Sequence, residues 1–229
     1  MKKYNIGIIG KGFVGSAVAF GFSPATGYDS TIRIFDKDPD KATHSLEQVV
    51  VESDFIFISV PTPSNKDGSI NVTSLESVIS DINKINKKKP TSAIILVRST
   101  VVPGTTRKLS NDFPALKIVF NPEFLTERSA NFDFISQTRF ILGGEKELTG
   151  QVAALYKDRF GSSLSCIETD LESSELIKYV CNTFFATKVS FLNEMRLISD
   201  KVGANWEDVI EGFVRDGRVG HSHTNVPGH

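Results

Sequence analysis

One stretch decides the fold of this chain: YNIGIIGKGFVG, residues 4–15. An apolar run predicted as a strand leads directly into the hexad G-x-G-x-x-G, which opens a predicted helix over residues 12–21. In such a hexad Gly10 allows a tight turn, Gly12 lets a ligand approach the backbone, and Gly15 lets helix and strand pack closely. Amide groups at the helix start then face a phosphate. The stretch predicts a dinucleotide site formed by Gly10, Gly12, Phe13, Val14 and Gly15.

Short apolar runs alternate with longer mixed segments downstream of the hexad. This rhythm is typical of βαβ units. The helical segments include residues 72–87. The sequence therefore predicts an α/β fold with a Rossmann-type, doubly wound parallel sheet, whose strands are Tyr4 to Ile9, Thr31 to Phe35, Phe55 to Val60, Ala93 to Arg98, Lys117 to Phe120 and Arg139 to Gly143.

The alternation of short apolar runs and longer mixed segments ends at about Leu171. Residues 172–201 contain no Gly or Pro, and their apolar positions recur at near-helical spacing. We predict one long helix there, about 45 Å in length, followed by a shorter helix over residues 205–213. This pattern predicts two domains, residues 1–171 and 172–229, joined by the long helix. The Gly- and His-rich end of the sequence suggests a chain cut within its second domain.

A carboxylate ends the second predicted strand. Asp36 closes Ile32-Arg33-Ile34-Phe35-Asp36, about 20 residues after the hexad. A carboxylate at that point accepts hydrogen bonds from both ribose hydroxyls and repels a 2′-phosphate. We therefore expect NAD rather than NADP as the cofactor.

The composition narrows the class of protein. Apolar residues make up 40% and charged residues 23% of the 229 residues, and the net charge is −1. These values exclude a disordered or fibrous chain and give no reason to expect nucleic acid or an anionic membrane as a partner. The two cysteines, Cys166 and Cys181, form no disulfide framework, which favours a reducing, cytoplasmic location.

Three polar segments follow predicted strands. They read V-P-T-P (60–63), S-T-V-V-P-G-T-T (99–106) and N-P-E-F-L-T-E (121–127). In an open α/β sheet such strand ends meet at the ligand-binding edge, so we expect the three to cluster around the nicotinamide end of the cofactor. Each one alone has a plain explanation as a turn or a helix cap.

Together with E-L-I-K-Y-V-C-N-T-F (175–184), these segments give the chain a clear resemblance. It resembles the UDP-glucose/GDP-mannose dehydrogenase family over its whole length. The resemblance implies a homodimer, with the second domain as the start of a helical dimerisation domain. It also implies oxidation of the C6 alcohol of a UDP-sugar to a carboxylate with two NAD, through an aldehyde and an enzyme thioester. The N-P-E-F-L-T-E segment favours UDP-glucose, giving UDP-glucuronate.

Catalytic roles follow for four residues. Lys178 and Asn182 are four apart, so they share one face of a helix, and two donors converging on one oxygen stabilise an oxyanion. The resemblance makes that oxygen the one on C6 of the sugar. It makes Glu123 the general base for the water that hydrolyses the thioester, and Thr100 the residue that holds this water or the cofactor.

The resemblance implies the remaining contacts. The cofactor contacts are the five hexad residues with Asp36, Lys41, Thr62, Thr100 and Glu127; the substrate contacts are Glu123, Phe124, Leu125, Thr126, Glu127, Lys178, Asn182 and Arg218. The family's Arg at the position of Arg218 reaches the substrate of the neighbouring subunit.

The family's second oxidation uses a cysteine in a G-F-G-G-x-C type segment, expected shortly after Gly228. Neither Cys166 nor Cys181 matches it, so we expect residues 1–229 to bind NAD without completing the oxidation. Two alternatives stay open. One is a β-hydroxyacid or 6-phosphogluconate type dehydrogenase, which shares the K-x-x-x-N pair but lacks N-P-E-F-L-x-E. The other is a non-catalytic NAD-binding module.

Histidines near the end of the sequence raise the question of a metal. One residue separates His221 from His223, and five residues separate His223 from His229. This spacing fits no zinc pattern. No Cys or carboxylate close by completes a set of four ligands. The sequence predicts a polar loop and no metal site.

Overall fold

Seven strands form one sheet in the computed structural model, which describes residues 3–228. They are β1 (Asn5–Ile9), β2 (Thr31–Phe35), β3 (Phe55–Ile58), β4 (Ile94–Val97), β5 (Lys117–Phe120), β6 (Arg139–Gly143) and β7 (Ser165–Thr169). Their order across the sheet is β2-β1-β3-β4-β5-β6-β7. The first five strands are parallel, β6 is antiparallel to β5, and β7 is parallel to β6.

Helices connect the strands and continue the chain beyond them. They are α1 (Phe13–Gly21), α2 (Leu46–Val51), α3 (Thr73–Lys88), α4 (Thr105–Asp112), α5 (Ala130–Ile135), α6 (Lys146–Phe160), α7 (Leu171–Val202) and α8 (Trp206–Val214), with 3₁₀ turns at Pro24–Thr26 and Glu127–Ser129. None of the helices within residues 3–228 is both long enough and apolar enough to cross a membrane.

The predicted Rossmann-type α/β fold is confirmed, with two differences. All six predicted strands are present, but the predicted parallel sheet contains one antiparallel pair, between β5 and β6. The connection from β5 to β6 holds a 3₁₀ turn and the six-residue α5, which packs against α1. The other difference is β7, which the sequence analysis missed because this edge strand is polar and mostly exposed, so it carries no apolar run.

Apolar side chains cover both faces of the sheet. Every residue of β3 and of β4 is buried. Ile8, Phe57 and Leu96 point into one cluster with the aromatic residues of α5 and α6, while Ile56 and Val97 point into the cluster under α3. Burial on both faces explains why these strands read as continuous Ile- and Val-rich runs.

The strand order reverses at β1, which lies between β2 and β3. Parallel strands that diverge in this way leave a crevice beyond their carboxyl ends. The residues that follow β1, β3, β4 and β5 are Gly10, Ser59, Arg98 and Asn121. The sheet therefore brings all the predicted strand-end segments to one edge.

By its internal contacts the chain divides into two units after Lys178. The second unit holds the rest of α7 and all of α8, and it buries Leu192, Trp206 and Val214. α7 is a single helix of 32 residues, close to the predicted 172–201. The predicted domain boundary at residues 171/172 stays a prediction.

Candidate active site

The glycine hexad has the geometry that a dinucleotide cradle needs. Gly10 has φ of +90°, and a Cβ there would lie 2.4 Å from the Ser59 carbonyl oxygen. A Cβ on Gly15 would lie 2.0 Å from the Gly10 carbonyl oxygen, so the helix can pack here only without a side chain. A Cβ on Gly12 would meet nothing within 4 Å. The loop is thus tight on its protein side and open at Gly12, where a pyrophosphate can approach the start of α1.

Asp36 follows β2 and borders the same loop. Its Oδ2 accepts a hydrogen bond of 2.6 Å from the Lys11 amide, and its Oδ1 accepts one of 2.9 Å from the Asp38 amide. Partial burial alone would raise the pKa of Asp36, but the bonds from the Asp38 and Lys11 amides outweigh it and hold the pKa below its ordinary value. The carboxylate is therefore ionised at neutral pH.

A cavity of about 340 Å³ lies beside Asp36. Gly10 and Gly12 line one side of it, and Val60 and Val78 give it an apolar wall. Lys41, a predicted cofactor contact, also lines this cavity, and its ammonium lies 3.3 Å from the Asp38 carboxylate. An apolar slot that ends in a carboxylate suits the adenosine half of a dinucleotide.

A second cavity, of about 290 Å³, lies at the ends of β3, β4 and β5. It is lined by Gly12, Phe13, Val14, Ser59, Val60, Pro61, Thr62, Arg98, Ser99, Thr100 and Glu123. The Thr62 hydroxyl donates to the Thr100 carbonyl over 2.8 Å, which joins two of the strand-end segments. The structure therefore brings Thr62, Thr100 and Glu123 together with the glycine loop.

Lys178 and Glu123 form a buried ion pair at this cavity. The Lys178 Nζ lies 2.8 Å from Glu123 Oε1 and also donates to the Glu123 carbonyl oxygen. Glu123 Oε2 accepts 2.7 Å from the Leu125 amide. The Phe124 ring flanks the pair, with its centre 5.2 Å from Lys178 Nζ and 4.9 Å from the Arg139 guanidinium. The proposed base and the proposed oxyanion donor are thus in direct contact.

The rest of the predicted substrate loop turns away from the cavity. The Leu125 side chain packs against the core, and Thr126 donates through both its amide and its hydroxyl to Asp133. Glu127 is exposed at the start of a 3₁₀ turn and lines neither of the two cavities. Backbone contacts of this loop with a substrate stay predictions.

The second unit holds the other predicted site residues. Asn182 is exposed on α7, and Arg218 is exposed and paired with Asp216, with Nε 2.9 Å from Oδ1. Arg218 lines a cavity of about 410 Å³ with Phe184, Phe185 and Lys188. Among residues 3–228 there is no cluster of ligands that could hold a metal, and His229 lies outside the described residues.

Sequence reasoning missed two buried charges near the site. Glu175 is fully buried and accepts 2.6 Å from the Gly104 amide and 2.8 Å from the Thr106 amide, so it caps the start of α4. Burial raises the pKa of Glu175, although these hydrogen bonds oppose the shift. Arg98 is buried behind the second cavity. The only signal in the sequence was position: Arg98 comes two residues before Thr100, and Glu175 comes three residues before Lys178.

Comparison with known protein families gives two matches. The model of the UDP-glucose/GDP-mannose dehydrogenase family, NAD binding domain, matches residues 35–159. The chain belongs to this family. The central-domain model of the same dehydrogenase family matches residues 172–228. The prediction of NAD as the cofactor is confirmed.

Curated relatives of the chain include proteins named UDP-glucose 6-dehydrogenase. The UDP-glucose 6-dehydrogenase of Rickettsia prowazekii is 36% identical over 196 residues, which cover 83% of this chain and 44% of that protein. The UDP-glucose 6-dehydrogenase YwqF of Bacillus subtilis is 34% identical over 183 residues, covering 77% of this chain and 40% of that protein. The chain therefore spans less than half the length of these relatives.

Solved structures of the family superpose well. A UDP-glucose dehydrogenase from Pyrobaculum islandicum matches with a TM-score of 0.85 at 26% identity, over 97% of this chain and 59% of that one. A GDP-mannose dehydrogenase from Pseudomonas aeruginosa, solved as a ternary complex, gives 0.80 at 26% identity, over 94% and 57%. The fold is that of the nucleotide-sugar dehydrogenases.

Proposed function

We propose that this chain is the NAD-binding portion of a UDP-sugar 6-dehydrogenase that oxidises UDP-glucose to UDP-glucuronate with two NAD. The observation that carries the proposal is the buried Lys178–Glu123 pair at the cavity lined by the glycine loop and Thr100. Relatives named UDP-glucose 6-dehydrogenase support the choice of substrate.

Lys178 is suited to stabilise negative charge on a sugar oxygen. An ammonium has three N–H donors, and the carboxylate and the carbonyl of Glu123 take two of them. The third N–H is left for the C6 oxygen as its proton departs. A donor held in a buried, preorganised position stabilises such an oxyanion far more than it would in water.

Glu123 is suited to move a proton at the same point. Its carboxylate lines the cavity beside Thr100, and the Leu125 amide and Lys178 fix its orientation. In the proposal it takes the proton from a water that Thr100 positions. Asn182 as a second donor to the oxygen, Arg218 as a contact to a neighbouring subunit, and the homodimer itself stay predictions from the family resemblance.

The cofactor fits the residues present. The open side of the loop at Gly12 would receive the pyrophosphate, and Asp36 would accept the ribose hydroxyls, with Lys41 at the rim of the cavity. Bound NAD supplies the acceptor for the hydride that leaves C6. The carboxylate of Asp36 would exclude the 2′-phosphate of NADP.

The other enzyme class has weaker support. A 3-hydroxyisobutyrate dehydrogenase shares the fold with a TM-score of 0.71 at 14% identity, a likeness of fold alone. The N-P-E-F-L-T-E segment, which separates the two classes, supplies Glu123 of the buried pair. A non-catalytic module would need no buried ion pair at the cofactor cavity.

Calorimetry with the 229-residue chain tests the proposal. We expect NAD to bind, and UDP-glucose to bind the NAD-loaded chain more tightly than GDP-mannose or UDP-N-acetylmannosamine. Lys178→Met should weaken UDP-glucose binding while leaving NAD binding in place, and Lys84→Met on the far end of α3 serves as the matched control. Tighter binding of either competing nucleotide sugar would refute the choice of UDP-glucose, and absence of NAD binding would refute the whole proposal.

A further inference from the structure

Arg98 is a buried cation for which the proposed chemistry has no use. It follows β4 directly and is only 1% exposed. Its Nη1 donates to Asn121 Oδ1 over 2.7 Å, and its guanidinium carbon lies 5.6 Å from the centre of the Phe134 ring. Within the described part of the chain, its Nε and Nη2 have no hydrogen-bond partner.

Among residues 3–228, no carboxylate forms an ion pair with Arg98. Its partner Asn121 is a neutral amide, which also accepts a hydrogen bond from the Tyr156 hydroxyl. Burial raises the pKa of the Tyr156 phenol even though Arg98 opposes the shift, so the phenol stays neutral. The carboxylate that shares the cavity, Glu123, is held by Lys178 at 2.8 Å. An unpaired charge in the interior costs several kcal/mol, and such conflicts are expected at functional sites.

The charges at the second cavity therefore do not cancel. Arg98 and Lys178 each carry a positive charge, and Glu123 carries the negative charge that faces them. These three side chains, at the ends of β4 and β5 and in the first turns of α7, leave a net charge of about +1, buried against a cavity of about 290 Å³. A charge in this position acts through protein rather than through water, so it is weakly screened.

We propose that Arg98 determines the preference of the site between the two redox forms of the cofactor. The inference rests on the proposed function and on the expectation that the nicotinamide half of NAD occupies this cavity, where the strand-end residues Thr62, Thr100 and Glu123 meet. The nicotinamide ring carries a positive charge in NAD and none in NADH. When C6 of the sugar gives up a hydride, two electrons and one hydrogen nucleus move to that ring, and the hydroxyl proton leaves separately. The buried Arg98 charge disfavours the cationic ring and thus favours hydride acceptance.

The test compares the affinities of the 229-residue chain for NAD and NADH by calorimetry. Both forms carry the same pyrophosphate, so the ratio of their Kd values reports the charge on the ring. ADP-ribose, which lacks the ring, reports whether the rest of the site is intact. We expect the wild-type chain to bind NADH more tightly than NAD. Arg98→Met should reduce that preference about three- to tenfold, as the Coulomb energy of one charge across a cavity of this size implies.

Two matched variants separate charge from structure. Arg98→Lys keeps the charge and loses the guanidinium geometry, so its ratio should stay within about twofold of the wild-type ratio. Arg107→Met removes an exposed arginine that pairs with Glu172 and should leave the ratio unchanged. If both variants still bind ADP-ribose and Arg98→Met and Arg98→Lys give the same ratio of Kd values for NAD and NADH, the inference is overturned.

The wild-type chain tests the inference independently, even if Arg98→Met does not fold. Equal affinity for NAD and NADH, or a preference for NAD, would overturn the role of Arg98 while leaving the cofactor site in place. Failure of the wild-type chain to bind NAD, NADH and ADP-ribose would overturn the cofactor site itself, and the role of Arg98 with it. The two failures are therefore distinguishable.

Discussion

Removal of one member of the Lys178–Glu123 pair should destabilise the protein strongly. The two side chains are 6% and 12% exposed. Lys178→Met deletes the ion pair, the bond to the Glu123 carbonyl and the contact with the Phe124 ring. It leaves a buried carboxylate whose one remaining hydrogen-bond partner among residues 3–228 is the Leu125 amide. An uncompensated buried charge of this kind costs about 3–5 kcal/mol of the free energy of unfolding.

Substitution of the other partner, Glu123, should lower the free energy of unfolding by less. In Glu123→Gln the ammonium keeps two neutral oxygen acceptors, the carbonyl and the new amide, so we expect a loss of about 1–3 kcal/mol. The double variant should be destabilised by about 1–3 kcal/mol less than the sum of the single variants, because each single variant leaves the other charge unpaired.

Urea denaturation followed by circular dichroism measures these differences as shifts of the midpoint at constant slope. The control is the Arg107–Glu172 pair, which joins α4 to α7 and is 48% and 44% exposed. Arg107→Gln should lower the free energy of unfolding by no more than about 1 kcal/mol. Equal losses for Lys178→Met and Arg107→Gln would refute the reasoning, because burial would then make no difference.

Three further predictions concern the cofactor loop and the cap of α4. Asp36→Ala should reduce the selectivity for NAD over NADP by about 1–3 kcal/mol, measured as the ratio of Kd values; an unchanged ratio would show that Asp36 does not face the ribose. Gly15→Ala should lower the melting temperature, because its Cβ would lie 2.0 Å from the Gly10 carbonyl oxygen, whereas Gly12→Ala should fold normally and lose NAD affinity; the reverse pattern would refute the cradle. The pKa of Glu175 is raised in the folded protein, so its protonated form contributes stability below its ordinary value of 4.5, and this contribution is lost as pH rises through the folded pKa. The stability advantage of the wild-type chain over Glu175→Gln should therefore shrink as pH rises above 4.5, and an advantage that grows instead would contradict the burial argument.

Features that depend on neighbouring residues could be predicted from the sequence. The turn at Gly10 and the close packing at Gly15 follow from local backbone geometry, and β3 and β4 follow from runs of apolar residues. The topology of an open sheet then placed Thr100 and Glu123 at one edge. Their chemical roles remain predictions.

Features that depend on distant residues could not be predicted in this way. Glu175 caps α4 across about 70 positions of sequence, and Arg98 reaches Tyr156 across 58. No periodic pattern connects such partners. β7 was missed for a different reason: an edge strand needs apolar residues on fewer sides, so its sequence resembles that of a loop.

By their contacts, the first two turns of α7 are part of the unit that contains the sheet. From this helix, Glu175 holds the start of α4 and Lys178 holds Glu123, and both come before the division of the chain after Lys178. Domain borders usually fall in loops. If relatives exchanged modules, the simplest place to cut the chain would therefore be the loop after β7. A cut there would strip the start of α4 of its carboxylate and leave Glu123 without its ammonium. The piece that recombination can transfer intact therefore ends inside α7, after the eighth of its 32 residues.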